Sequence, residues 1–400
     1  MNNETRKETQ VLPKDVRYVG ADDLTLPLFE NQYPVQPMGV SYNSYLILDE
    51  KIAVMDSVDA RAADEWLAKL AHELNGRSPD YLVISHMEPD HSGSILRLAE
   101  KYQEMKLVGN TKTFTMLRQF FGAKAPTDDR LLEVGEGETL PLGAHTLHFM
   151  LAPMVHWPEV MVAYEETEKI LFSADAFGRF GSLGRTANAP WAPQARRYYY
   201  NIVGKYGAQV QALLKKASAL EIETICPLHG PVLTGEALGE ALRLYDLWSR
   251  WQSESPDDIL LAHASIHGNT ARAAELLKQK LEVKGARVTL CDLTTTEVSY
   301  AVANAFYCGK LVLACSTYDG GLFPPMEEFL SHLQAKGFRD RSVGLMENGS
   351  WAPAAARLMR AKLEEMKDLR VCGTVVSLRS ALSPASEAQI DALTTELCAK

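Results

Sequence analysis

The sequence predicts a two-domain α/β protein in which layered sheets covered by helices precede a doubly wound parallel sheet. Two observations favour this fold class. Short apolar runs in hairpin-like pairs alternate with helical segments through the first two-thirds of the 400 residues, and strands alternate regularly with helices through the last third. The length suffices for two or three domains with large buried cores.

In the first domain, apolar runs on either side of Glu50-Lys51 predict a hairpin over 41–49 and 52–56. Residues 60–74 have helical spacing, and 81–85 (YLVIS) is typical of a short buried strand. This strand leads directly into a polar cluster. Further strands are expected at 146–151, 160–164, 169–173 and 224–226. Hairpins mixed with crossover helices are typical of a layered α/β arrangement.

A stretch rich in Ser, Pro and Asp, 253–258, predicts a linker, so we expect domains over 1–253 and 257–400. Beyond it, strands and helices alternate as in a doubly wound sheet, which binds ligands at the carboxyl ends of its strands. Strands are expected at 259–262, 287–293, 310–315, 342–346 and 371–378. Helices are expected at 270–283, 297–306, 325–335, 354–367 and 387–398.

Composition excludes several classes of partner. The formal net charge of −10 argues against a general nucleic-acid-binding surface. No apolar run approaches the roughly 18 residues that span a bilayer, and the polar start MNNETRKETQ lacks a hydrophobic signal segment. The six cysteines form no Cys-x-x-Cys pair and lie mostly in apolar runs, which is typical of reduced, buried thiols. We therefore expect a soluble cytoplasmic protein with no membrane or nucleic-acid partner.

The strongest chemical signal follows the strand at 81–85. His86 and Glu88 lie on the same side of an extended chain, because side chains alternate with a period of two. Asp90 and His91 come next, at the turn into a helix. A lone histidine or a capping aspartate is commonplace, but four potential ligands within six residues indicate a metal site. Three more candidates each end an apolar run, namely His156, Asp175 and His229.

The order H-x-E-x-D-H, then His, Asp and His, resembles the metallo-β-lactamase-like fold in the variant used by flavodiiron proteins. Hydrolases of that fold usually carry His at the position of Glu88, and a carboxylate there suits iron better than zinc. The resemblance implies two irons, each held by three residues, with Asp175 bridging them. The two sets are His86, Glu88 and His156, and Asp90, His91 and His229.

The second domain opens with a strand, a polar loop and a helix start, which together offer backbone N–H groups to an anion. Ser, Asn and Thr before a helix are also ordinary caps. The loop resembles the phosphate loop of flavodoxins. The resemblance implies that it binds the phosphate of FMN through Ser265, His267, Gly268, Asn269 and Thr270.

Loops after the third and fourth strands resemble those that hold the isoalloxazine ring in flavodiiron proteins. Tyr318 and Trp351 would stack on the flat ring. The second loop departs from the Gly-Trp-Ser-Gly ending that is common in the family. The residues expected to contact FMN here are Ser316, Thr317, Tyr318, Asp319, Gly320, Asn348, Gly349, Ser350 and Trp351.

The resemblance implies a metallo-β-lactamase-like αββα sandwich followed by a flavodoxin-like doubly wound sheet. It also implies an oxidoreductase that passes electrons from an external donor through FMN to a di-iron centre, which reduces O2 to water, NO to N2O, or both. The alternatives are a metal-dependent hydrolase with an appended flavodoxin-like domain and a pure electron-transfer flavoprotein. A hydrolase needs no flavin, and an electron carrier needs no pair of metals. The two signals together therefore favour the oxidoreductase.

The resemblance also implies that the chain forms a head-to-tail homodimer or a dimer of dimers. It implies a separate electron donor, such as rubredoxin or a flavoprotein reductase. No catalytic residues beyond the metal ligands are expected. Trp157, Tyr198 and Tyr199 match aromatic positions of the family and are candidates to orient ligands or supply protons.

Overall fold

The computed structural model describes residues 12–399. The chain folds as two compact units, the first ending at Asp246 and the second beginning at Leu247. The functional domain bounds 1–253 and 257–400 stay a prediction.

The first unit holds short strands and helices in close alternation. Its strands are β1 Val16–Tyr18, β2 Ala21–Asp23, β3 Leu28–Phe29, β4 Tyr33–Pro34, β5 Val40–Tyr42, β6 Tyr45–Ile47, β7 Ala53–Met55, β8 Tyr81–Val83, β9 Lys106–Gly109, β10 Leu131–Glu133, β11 Thr139–Pro141, β12 Thr146–Leu151, β13 Met161–Glu165, β14 Ile170–Phe172, β15 Thr224–Cys226 and β16 Leu233–Thr234. Its helices are α1 Ala63–Leu74, α2 Pro89–Ser92, α3 Ile95–Lys101, α4 Thr111–Phe121, α5 Leu183–Thr186, α6 Trp191–Tyr198, α7 Gly207–Ala217 and most of α8 Gly235–Ser249, whose last three residues belong to the second unit. Single turns of 3₁₀ helix lie at Ala60–Ala62, Gly122–Lys124, Asp128–Arg130 and Gly204–Tyr206, and a π-helix lies at Tyr199–Val203.

Within residues 12–246, twelve of these strands form two six-stranded sheets, in the orders β1-β6-β7-β8-β9-β10 and β11-β12-β13-β14-β15-β16, while β2 pairs with β5 and β3 pairs with β4. One core lies between the sheets: Tyr45, Met55 and Val83 of the first sheet pack with Phe149 and Phe172 of the second. Because side chains alternate along a strand, the other face of each sheet needs a cover as well.

Helix α1 illustrates how that cover forms. Its buried residues Trp66, Leu70 and Leu74 recur at helical spacing, and Trp66 Nε1 donates a hydrogen bond to Ser44 Oγ at 3.0 Å. Two sheets that pack face to face, with helices such as α1 against them, confirm the predicted αββα sandwich.

The second unit alternates as the sequence predicts. Its strands are β17 Ser255–Ala264, β18 Val288–Asp292, β19 Cys308–Tyr318, β20 Gly321–Leu322, β21 Ser342–Asn348 and β22 Arg370–Leu378. Its helices are α9 Asn269–Val283, α10 Val298–Tyr307, α11 Pro324–Ala335, α12 Ala355–Glu364 and α13 Pro384–Cys398.

The main sheet of this unit has the order β18-β17-β19-β21-β22, with every neighbouring pair parallel, while β20 pairs antiparallel with β19. The order reverses between β17 and β19, and a doubly wound sheet binds ligands at the carboxyl ends on either side of that point. The predicted linker at 253–258 is wrong from Ser255 onward. Ser255 already pairs with Cys308, through a register shift before Ile259, so β17 begins there.

Gly309 of β19 packs closely against the backbone of β17 at the register shift between Ser255 and Ile259. A Cβ added to Gly309 would lie 2.1 Å from the carbonyl oxygen of Pro256, and backbone cannot yield as a flexible side chain does. We expect Gly309→Ala to lower the free energy of unfolding by about 1–3 kcal/mol. Gly373→Ala is the matched control in β22, because its nearest neighbour would be Glu396 Oε1 at 3.7 Å. Denaturant unfolding of the full chain measures both, and equal stability of the two variants would contradict the packing argument.

Candidate metal centre and flavin loops

The seven predicted metal ligands lie close together at one end of the sandwich. His86 and Glu88 follow β8, and Asp90 and His91 lie in α2 just beyond. His156 follows β12, Asp175 follows β14 and His229 follows β15. Segments that follow strands of both sheets thus supply the candidate ligands. The ligand atoms form two groups within which every pair lies within 4.8 Å: His86, Glu88, His156 and Asp175, and Asp90, His91 and His229.

In the first group, two carboxylates face two imidazoles. His156 Nε2 lies 3.0 Å from Glu88 Oε2 and 2.9 Å from Asp175 Oδ2. His86 Nε2 lies 3.3 Å from the same Asp175 oxygen. These atoms converge on one small volume and could hold one cation.

In the second group, His229 Nε2 lies 3.2 Å from Asp90 Oδ2, and His91 Nε2 lies 3.6 Å from that same oxygen. Asp175 reaches this group too, since its other oxygen, Oδ1, lies 3.7 Å from His229 Nε2. One carboxylate therefore faces both groups, as a bridge between two metal ions would.

Backbone carbonyls set the tautomers of two ligand histidines. His229 Nδ1 contacts Ser41 O at 2.7 Å and His91 Nδ1 contacts Ser57 O at 3.2 Å, and a carbonyl can only accept. Each Nδ1 is thus the donor, and each Nε2 points its lone pair inward. The two Nε2 atoms lie 3.3 Å apart, an arrangement that needs a proton or a metal cation beside them. His86 differs, because its Nδ1 has no hydrogen-bond partner within residues 12–399.

The electrostatics of the cluster favour bound cations. Burial opposes ionisation of Asp175, yet the imidazoles of His86 and His156 hold its pKa well below its usual range. Burial also disfavours a charged His86, but Asp175, Asp90 and Glu88 raise its pKa to about 10. Burial and the adjacent Asp90 raise the pKa of Glu88. The carboxylates thus attract positive charge strongly, whether it is carried by protons or by metal ions.

Polar atoms without partners point to the same conclusion. Among the described residues, buried atoms that make no hydrogen bond of good geometry include His86 Nε2, Glu88 Oε2, both carboxylate oxygens of Asp90 and Asp175 Oδ1, even though an imidazole lies beside each carboxylate. An unpaired buried polar atom is costly. Their concentration on one spot, with mixed nitrogen and oxygen donors, fits a pair of iron ions.

The ligand-bearing loops are held in unusual backbone conformations. Asp56, Met154 and Ala174 have φ of 57°, 66° and 51°, and Ala174 directly precedes Asp175. Left-handed conformations of such residues cost about 1–3 kcal/mol and cluster at functional sites. The surrounding contacts must supply that energy.

Several of those contacts come from residues that the sequence analysis did not single out. Buried Asp56 accepts hydrogen bonds from Ser85 N at 2.7 Å and Ser85 Oγ at 2.6 Å, next to His86. Buried Glu159 accepts from Met87 N at 2.8 Å, between His86 and Glu88. An Asp after an apolar strand and a Glu three residues after a candidate ligand were the available signals, but both are common in sequences.

The three aromatic candidates divide into two cases. The rings of Trp157 and His86 lie 6.5 Å apart, and those of buried Tyr198 and His229 lie 5.5 Å apart. Tyr199 packs against Tyr245, at 5.1 Å between ring centres. Trp157 and Tyr198 stay candidates to influence the metal ligands, whereas the contacts of Tyr199 indicate packing.

The predicted flavin residues lie at the carboxyl ends of three adjacent strands, β17, β19 and β21. Gly268, with φ of 83°, precedes α9, and its N–H donates to Ser265 Oγ at 3.1 Å. The hydroxyl groups of Thr270 and Ser316 lie 2.8 Å apart and join the first two loops. Asn269 begins α9, and His267 is exposed.

The other two loops are cross-linked as well. Thr317 Oγ1 accepts from the N–H groups of Ala354 and Ala355, at 2.9 and 3.2 Å. Asn348 exchanges two hydrogen bonds with Ser380 backbone atoms, at 2.9 and 3.1 Å, a partner that the sequence did not predict. Trp351 is 88% exposed and Tyr318 is 44% exposed, so both rings are available to a ligand. Asp319, Gly320, Gly349 and Ser350 complete these loops, with φ of 49° at Asp319 and 73° at Gly320.

Comparisons with known proteins cover nearly the whole chain. Residues 40–230 match the model of the ODP family beta lactamase. The rubredoxin-oxygen oxidoreductase of Megalodesulfovibrio gigas is 27% identical over 87% of this chain and 87% of its own length. The anaerobic nitric oxide reductase flavorubredoxin of Vibrio vulnificus is 26% identical over 88% of this chain and 72% of its own. The crystal structure of the flavodiiron protein from Giardia intestinalis is 25% identical, with a TM-score of 0.88 over 98% of this chain and 96% of that one.

No helix within residues 12–399 combines the length and the apolar character needed to cross a membrane.

The two-group geometry predicts unequal effects of ligand substitutions. Asp175→Ala should weaken metal binding in both groups, because its two oxygens face different groups. Asp90→Ala should weaken binding in the second group alone. Metal content per chain, measured by mass spectrometry after dialysis against a weak chelator, should fall further for Asp175→Ala. Equal metal content in the two variants would contradict a bridging role for Asp175.

Proposed function

We propose that this chain, a flavodiiron protein, passes electrons from an external donor through FMN to a di-iron centre that reduces O2 to water, NO to N2O, or both. The homologues named rubredoxin-oxygen oxidoreductase and nitric oxide reductase flavorubredoxin confirm the family resemblance and the oxidoreductase activity. They favour this function over the hydrolase alternative.

The observation that carries the proposal is the composition of the metal cluster. Three carboxylates, Glu88, Asp90 and Asp175, face four imidazoles, and Asp175 faces both groups. Two ferrous ions would bring four positive charges against three negative ones, so the buried cluster would be close to neutral. Glu88 in place of a histidine gives a mixed set of oxygen and nitrogen donors, which suits iron better than a set dominated by histidine does.

The protein's own part is to position the ligand atoms and to exclude water. The Nδ1 contacts to Ser41 and Ser57 fix the rings of His229 and His91. Burial of every ligand of the second group makes each electrostatic interaction there stronger than in water. Iron and FMN, when bound, supply the electron-transfer chemistry that no side chain of the cluster has.

In the second unit, the N–H groups at the start of α9 would hold the FMN phosphate. Tyr318 and Trp351 would contact the ring, and the hydrogen bonds that join the loops would keep the site in shape. We propose these FMN contacts together with the seven metal ligands. The functional bounds 1–253 for the di-iron domain and 257–400 for the flavin domain are part of the same proposal.

The proposal extends to partners and location. The metal candidates all lie in the first unit and the flavin candidates all lie in the second. A head-to-tail homodimer, in which each flavin faces the metal pair of the other copy, would bring the cofactors together. A separate rubredoxin or flavoprotein reductase would reduce the flavin, and the cytoplasm would be the location.

Gas consumption tests the activity. Protein loaded anaerobically with iron and FMN should consume O2 or NO when given a chemical reductant and a rubredoxin. Parallel electrode traces at matched gas concentrations rank the two substrates, and peroxide and N2O assays identify the products. Asp175→Ala, reconstituted in parallel, should consume neither gas. Failure of the wild type to consume either gas, despite bound iron and FMN, would contradict the proposal.

Subunit mixing tests the dimer. Asp175→Ala removes the bridging ligand, and Gly268→Asp places a carboxylate in the proposed phosphate cradle while tolerating the left-handed backbone there. Co-expression with two affinity tags isolates the mixed dimer of these two inactive variants. Since each flavin would serve the partner's metals, the mixed dimer should regain up to about half the activity per dimer.

The control for subunit mixing is a dimer that carries both substitutions in one chain and neither in the other. This control retains a working pair of sites only if electrons pass within a chain. Activity in this control together with none in the mixed dimer would contradict transfer between copies, as would an active monomer in light scattering.

A further inference from the structure

The turn that carries His229 is held by a residue with no assigned role. Asn43 lies between β5 and β6, is fully buried, and reaches across to the loop after β15. Its Nδ2 donates to Pro227 O at 2.7 Å and to Gly230 O at 2.8 Å. These two carbonyls bracket Leu228 and His229 in the sequence.

The orientation of the Asn43 carboxamide is unambiguous. Both loop partners are carbonyls, which only accept, so the nitrogen must face them. On the other side, Tyr18 Oη donates to Asn43 Oδ1 at 3.1 Å. The side chain therefore uses both its donors on the loop, and an acid of the same shape could not replace it.

Neighbouring residues make further hydrogen bonds to the same turn. The backbone N–H of Asn43 donates to Leu228 O at 2.8 Å, and Tyr45 Oη donates to Pro227 O at 2.8 Å. Ser41 Oγ accepts from Gly230 N at 2.8 Å, while Ser41 O contacts His229 Nδ1. The segment from Ser41 to Tyr45 thus fixes both the ring of His229 and the backbone that carries it.

The turn needs such support. Gly230 has φ of 81°, and a Cβ there would lie 2.6 Å from Arg179 Cγ, so the backbone has little freedom to relax. Leu228 N donates to Ala174 O at 2.9 Å, next to Asp175. A shift of this turn would displace His229, a ligand of the second group.

We propose that Asn43 is a positioning residue for the second metal group, acting through the Pro227–Gly230 turn on His229. The inference rests on the proposed function, because it takes His229 as an iron ligand. Loss of an outer contact of this kind typically weakens metal affinity 10–100-fold. We expect that loss in the second group and an unchanged first group.

The test is the affinity of the full-length apoprotein for ferrous iron, measured anaerobically by competition with a chromophoric chelator. Asn43→Asp keeps the shape and removes both donors, so it should weaken one of two iron sites 10–100-fold. Tyr45→Phe removes one hydrogen bond to the same turn and should act in the same direction, with a smaller effect. It serves as the second variant if Asn43→Asp fails to fold.

Two controls separate positioning from general destabilisation. Leu70→Ala opens a cavity in α1, where Leu70 is buried, and should lower the melting temperature without changing iron affinity. In an Asp90→Ala background the second group is already impaired, so adding Asn43→Asp should cause no further loss. The Mössbauer spectrum of ⁵⁷Fe-loaded protein should change in Asn43→Asp and stay unchanged in Leu70→Ala.

The outcomes are distinguishable. Additive loss in the double variant, or equal loss in Leu70→Ala, would overturn the positioning role. Two sites of unchanged affinity and an unchanged spectrum in both Asn43→Asp and Tyr45→Phe would do the same. Wild-type protein that binds no iron would instead overturn the proposed function, and the inference with it.

Discussion

The constraint on which the first unit depends is the burial of three carboxylates in one place. Glu88, Asp90 and Asp175 lie among four imidazoles with little access to water. Charges of one sign cannot be buried together unless opposite charge compensates them. The lowered pKa of Asp175 and the raised pKa of His86 both show that the buried carboxylates favour positive charge beside them. A pair of iron ions would meet the need for compensating charge and would also give a partner to the ligand atoms that make no hydrogen bond of good geometry.

The αββα sandwich makes that concentration possible. Both sheets end at the same edge, so turns after β8, β12, β14 and β15 supply ligands from distant parts of the sequence. The core between the sheets fixes the strands, and the turns are then held by side chains of neighbouring segments, such as Asn43, Asp56 and Glu159. The ligands themselves are only the innermost part of this arrangement.

The candidate flavin site of the second unit is built differently from the metal centre. Its loops offer backbone N–H groups and exposed aromatic rings at the ends of parallel strands, with no comparable buried charge among the described residues of these loops. Hydrogen bonds between loops, from Thr270 to Ser316 and from Thr317 to the start of α12, hold the ends of three strands together. A flat cofactor with one phosphate would find N–H donors at the start of α9 and exposed rings at Tyr318 and Trp351.

The sequence by itself determined the fold class, because apolar periodicity is a local property of the chain. It predicted the seven candidate ligands from the H-x-E-x-D-H pattern and from three residues that each end an apolar run. The flavin loops, which resemble those of flavodoxins and flavodiiron proteins and each follow a predicted strand, stay a prediction. Only the tertiary structure decided that Ser255 already belongs to a strand and that Asn43 holds the turn of His229, and it gave the distances from Asp175 to both groups. The physical reason is that such contacts join residues up to 187 positions apart, and their geometry is fixed by the packing of two sheets.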